Sequence, residues 1–131
     1  IGIEVQIQCT ANHLELLKKG NWDVYVSAFV SAPTGDPEYF FTTHCVQDSS
    51  KNRGGYYSET FEMLEQQLSG EFDTEKRTEL AIEMTQTLLD DHMFFFASHL
   101  KMSMVSGEGV TGLTAHPCDY YEITVNLDKN K

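Results

Sequence analysis

Polar and apolar residues alternate over residues 3–8, with Ile3, Val5 and Ile7 in step. That is the pattern of a strand buried on one face. Asn12 and Glu15 are spaced as a capping box, and Leu14 and Leu17 follow on one helical face. Lys18, Lys19 and Gly20 suit the end of that helix, because cations meet the negative end of the dipole and glycine accepts a left-handed cap. Residues 23–30 are rich in Val, Tyr and Phe with little alternation, the signature of a strand covered on both faces. Strand, helix and strand in the first 30 residues predict a parallel βαβ unit.

Two prolines and a glycine make residues 31–37 a loop, and residues 38–43 suit a short helical turn. Residues 44–57 read as a long polar loop, a length that marks either function or mobility. Ser58 is placed to cap a helix with Phe61, Leu64 and Leu68 at i, i+3 and i+7, ending at Ser69 and Gly70. Asp73 or Thr74 opens a longer helix with Leu80, Ala81, Met84 and Leu88 inward and Glu75, Lys76, Glu79, Glu83 and Gln86 in solvent, closing near Asp91. Residues 94–105 predict one or two strands, 107–112 a turn-rich link, and 120–125 a last strand. The expected fold is therefore α/β, with a mixed sheet of about five strands flanked by helices. Residues 1–131 form a single domain.

Charge narrows the function. The chain carries 20 acidic and 9 basic residues, a net charge of −11. That disfavours nucleic acid, whose binding rests on cations facing phosphate, and docking on anionic lipid. It leaves small-ligand binding open. No stretch is long and apolar enough to span a membrane; the longest apolar run starts at Met93 and ends at Ala97. The chain opens inside a strand-like pattern, as expected of a piece of something longer. Cys9, Cys45 and Cys118 are too few for a disulfide framework, and the absence of a CxxC pair argues against a structural zinc site.

The chemistry-bearing residues each have a plain alternative. His44 and Cys45 are adjacent and so point apart, which suits a loop histidine beside an incidental thiol better than a base–nucleophile pair. Asp90, Asp91 and His92 fit a polar helix end as readily as an oriented metal ligand. His99, among Phe95, Ala97 and Leu100, reads as a half-buried structural histidine. His116 precedes Pro117, which fixes it in extended geometry, and Asp119, Tyr120 and Tyr121 follow; together they could complete a polar ligand site. There is no nucleophile elbow, and Arg53, Gly54 and Gly55 lack the spacing of a phosphate loop. A catalytic role is not expected.

Six motifs in order carry a resemblance. Gly2, Ile3, Glu4 and Val5 precede Leu16, Leu17, Gly20 and Asp23; Asp36-Pro37 leads to Tyr39, Phe40 and Phe41; Asn52, Gly55 and Tyr56 follow. Then come the Phe61 helix, the Phe72-Asp73-Thr74-Glu75-Lys76-Arg77 segment, and Leu89-Asp90-Asp91 before an apolar stretch. The series resembles the dipeptide-, oligopeptide- and nickel-binding solute-binding proteins of ABC importers. The resemblance implies a periplasmic-binding-protein type lobe of class II kind, of which this chain is the C-terminal portion of the second lobe. Residues 32–37 and 116–121 look most like the nickel-binding branch, and the tryptophan that peptide binders carry in the first loop is absent, Trp22 being the only one.

That branch implies capture of nickel, as a small-molecule chelate, and delivery to a membrane permease; a dipeptide or oligopeptide is the alternative ligand. A small thiol- or metal-dependent enzyme using Cys45 or Cys118 is the different-class alternative. Imidazole suits Ni²⁺, and one imidazole cannot fill its coordination, so a chelator is required. His116 is the expected metal ligand and His44 the second. Thr34 and Asp36 are expected to line the cleft, and Arg53 to meet an anionic group of the ligand. No intrinsic cofactor is expected. The resemblance also implies export, to a periplasm or as a lipoprotein on the outer face of the membrane. An isolated lobe portion is expected to self-associate through its exposed interface.

Overall fold

The computed structural model describes residues 2–101, 103–116 and 123–129. Its order is α1 (His13–Lys19), α2 (Glu38–His44), α3 (Glu59–Gly70), α4 (Thr74–Asp90), β1 (Val110–Thr111) and β2 (Asp128–Lys129).

The centre is a hairpin of α3 and α4 with α2 packed on α3. Local chemistry sets both long helices. The Ser58 hydroxyl accepts the Phe61 N–H at 3.4 Å, and the Asp73 carboxylate accepts those of Glu75 and Lys76. Each cap satisfies donors the helix cannot. Helix α3 buries Phe61, Leu64 and Leu68, and α4 buries Met84 and Leu88, as the spacing predicts. Only Glu71, Phe72 and Asp73 join the helices, so they pack as neighbours. Phe40, Phe41, Cys45 and Tyr56 complete the core. Full burial of side chains such as Phe61, Leu68, Met84 and Leu88 stabilises by about 2 kcal/mol each.

Helix α4 closes in a Schellman arrangement: the His92 N–H reaches the Leu89 carbonyl and the Met93 N–H the Leu88 carbonyl. His92, not glycine, takes the left-handed position, at φ 56°. Met93 then turns back onto the core.

The predicted helix from Asn12 forms, but its capping box does not. Asn12 makes no side-chain cap, and its N–H goes instead to the Thr10 hydroxyl. The C-terminal end is as expected, with Gly20 left-handed at φ 70°.

The expected strands at 3–8, 23–30 and 94–105 carry no ladder among the described residues; the sheet there is the antiparallel pair Val110↔Lys129 and Thr111↔Asp128. Ile3, Val5, Ile7, Val24 and Val26 are all more than two-thirds exposed. Alternation supplies an apolar face, but a strand also needs a neighbour for its backbone groups, and no such neighbour pairs with these segments. Period two does survive at the start of the third segment: Phe94 and Phe96 stack at 5.9 Å while Phe95 between them is 90% exposed. The last predicted strand, 120–125, lies largely outside the described residues. The small sheet depends on Gly112, where φ is +73° and a Cβ would fall on the Asn126 carbonyl.

Candidate functional site

The two ends of α2 hold most of the predicted site residues, and they hold them apart. A seven-residue helix is about 10 Å long. Asp36 stands before its first turn and His44 is its last residue.

At the first end, Pro33 and Gly35 shape a turn closed by the Gly35 N–H to the Ala32 carbonyl, 3.0 Å. Thr34 lies exposed at its tip, while Pro33 is buried. Asp36 is half-exposed, but its carboxylate is engaged. Its carboxylate accepts the Glu38 N–H at 2.9 Å and both its oxygens lie 2.8 Å from Arg77 Nη2. The same guanidinium meets Glu38 Oε2 at 2.8 Å and donates through Nη1 to the Leu68 and Glu71 carbonyls at 2.7 and 2.8 Å. Burial raises the Asp36 carboxyl, but the Glu38 N–H and the Arg77 charge outweigh it and hold it below the usual carboxylate value. Asp36 and Arg77 thus fasten the 32–37 turn to the α3–α4 link.

At the other end, the His44 ring lies 4.5 Å from the Phe29 ring and 5.5 Å from Phe40. Burial, then the nearby charges of Lys51 and Arg53, lower its affinity for a proton. The shift favours the neutral imidazole, the form that binds metals. Cys45 points away into the core, fully buried; burial pushes its thiol up to about 12. It is not an activated nucleophile.

Arg53 sits on an ordered loop. The Asn52 side chain donates to the Val46 and Tyr56 carbonyls and accepts the Tyr56 N–H, which closes the turn ahead of α3. The exposed Arg53 guanidinium lies over the Tyr25 ring at 6.0 Å, and its Nη1 is 3.5 Å from the Tyr25 hydroxyl. Trp22 approaches Tyr25 at 6.0 Å. Residues 22–29 therefore bring Trp22, Tyr25 and Phe29 against the side holding His44 and Arg53. The result is an aromatic surface with one imidazole and one guanidinium. Such a surface can offer nitrogen to a soft or borderline metal and a cation to a carboxylate.

No hydrogen bond, ion pair or ring contact joins any two of Thr34, Asp36, His44 and Arg53. His116 is exposed, and Cys118, Asp119, Tyr120 and Tyr121 lie outside the described residues. Among the described residues no three His, Cys, Asp or Glu side chains converge as a metal set. Asp91 at the end of α4 accepts the Tyr56 hydroxyl at 2.6 Å, which makes it a structural acceptor. His99 is exposed, not half-buried as expected, because no ladder forms there to turn it inward. Arg77, Tyr25 and Phe29 escaped sequence reasoning. Arg77 lies inside the motif from Phe72 to Arg77, but its carboxylate partners are 41 and 39 positions away, and nothing local announces them.

No known family, curated protein or solved structure matches the chain.

Proposed function

We propose that this chain is the C-terminal portion of the second lobe of an extracytoplasmic solute-binding protein of an ABC importer. The protein captures nickel as a small-molecule chelate between two lobes and hands it to a membrane permease. The observation that carries this reading is the order of the six motifs from Gly2 to Asp91. The placement of His44 and Arg53 on one aromatic surface supports it, since an imidazole answers the metal and a guanidinium the chelator's carboxylates. In this reading His116 is the metal ligand and His44 the second nitrogen donor. Thr34 is the loop residue that meets the ligand, and Asp36 serves the site by holding that loop to Arg77. The exposed alternating segments are strands whose neighbours belong to the rest of the lobe. Uncovered, they drive self-association.

A peptide is the second reading. The observation that favours it is that the backbone of residues 23–30 pairs with no other segment among the described residues, so an extended peptide could add beside it while Arg53 takes its carboxylate.

Thermal unfolding of the longest natural form of the protein separates the two. Ni²⁺ with free histidine raises the melting temperature, by the equivalent of about 2.7 kcal/mol at a hundredfold excess over Kd. A dipeptide mixture leaves it unmoved. The reverse pattern gives the peptide reading, and no shift with either removes both.

A further inference from the structure

A groove runs between α2 and α4, on the face of α4 that does not pack on α3. Pro37, Phe41, Ala81 and Ile82 line it, with Thr78, Thr85 and Gln86 along α4; the Gln86 amide donates to the Asp90 carboxylate at 2.7 Å. The two threonine hydroxyls donate at 2.8 Å to the carbonyls of Thr74 and Ala81, so the methyl groups are what these side chains leave free. Ile82 is 65% exposed, between a half-buried Ala81 and an exposed Glu83. An exposed isoleucine in a mostly apolar groove favours an apolar occupant.

The next strip of α4 is acidic. Glu75, Glu79, Glu83 and Asp90 follow the groove residues around the helix at 3.6 residues per turn and are exposed. Glu75, Glu79 and Glu83 form no ion pair among the described residues. The two cations of α4 are committed elsewhere: Lys76 to Glu71, and Arg77 to Asp36 and Glu38. The flank therefore carries uncompensated negative charge.

We infer that this groove docks a basic amphipathic helix of a partner protein, with its apolar stripe over Pro37, Ala81 and Ile82 and its Lys or Arg residues against Glu75, Glu79 and Glu83. Thr78 to Thr85 spans about 10 Å, so about two turns of partner helix fill it. The inference does not depend on the ligand proposed above.

The test is fluorescence anisotropy with three dye-labelled synthetic peptides and the full chain. One is a helical peptide with Leu at i, i+3, i+4 and i+7 flanked by Lys. One has Glu in place of Lys. One is a scramble of the Lys peptide with its amphipathicity destroyed. The expected result is saturable binding of the first, with the other two weaker by roughly tenfold or more. Ile82→Gln lies on an exposed position and keeps the helical circular dichroism, yet weakens the Lys peptide by about tenfold; Glu79→Gln with Glu83→Gln weakens it and flattens its salt dependence. Equal binding of the scramble, or unchanged binding to folded Ile82→Gln, overturns the inference.

Discussion

Replacing Arg77 by Met removes a group that ties three elements together. The guanidinium is mostly buried, at 18% exposure, and makes five hydrogen bonds of 2.7–2.8 Å. Two go to carbonyls at and after the C-terminus of α3, and three to the carboxylates of Asp36 and Glu38. A methionine fills much of the same volume but donates nothing. The carbonyls can regain water, so their loss costs about 1 kcal/mol each. The Asp36 and Glu38 side chains are 44% and 29% exposed, so the charge interaction is discounted to about 1 kcal/mol in all. The sum is about 3 kcal/mol. Urea unfolding followed by circular dichroism at 222 nm reads it as a lower midpoint at constant slope. Arg77→Lys keeps the charge but not the fork, and falls between the two. A midpoint for Arg77→Met within about 0.5 kcal/mol of the native value would refute the clamp, since surface substitutions away from such features stay in that range.

The remaining predictions rest on single contacts. Asp36 is held below the ordinary carboxylate value, so its contribution is present above about pH 4 and is lost as pH falls through its folded value; acid unfolding of Arg77→Met lacks that component. Tyr56→Phe loses the 2.6 Å bond to Asp91 and costs about 1 kcal/mol in the same urea assay, and the Tyr56 phenol, raised to about 12 by burial and then by Asp91, ionises near that pH in an absorbance titration. In a variant with Cys9 and Cys118 changed to Ser, the buried Cys45 thiol resists a disulfide reagent at pH 8 until denaturant is added. His92→Gly relieves a positive φ and raises stability by about 0.5–1 kcal/mol, read as a higher urea midpoint.

These contacts show which parts of the molecule the sequence discloses. The helices from Ser58 to Asp91 are legible because every signal is local: a cap three residues from its target, and apolar residues returning each turn. The segments with Ile3, Val5, Ile7 and with Val24, Val26 are legible as apolar patterns but not as strands, since a ladder depends on a partner that no local rule supplies. Asp36 is legible as a loop carboxylate, but its place is set by a guanidinium 41 positions on. His44 read as a loop residue; the structure makes it the end of α2, turned toward a phenylalanine 15 positions earlier. In both cases the deciding contact joins elements distant in sequence.

The most direct test of the nickel-chelate proposal is calorimetric titration of Ni²⁺ with free histidine into the longest natural form of the protein and its His116→Ala variant. The account predicts saturable binding that weakens by about tenfold or more in the variant while the fold is kept. Equal binding by the two proteins contradicts the assignment of His116, and heat only with peptides contradicts the choice of ligand.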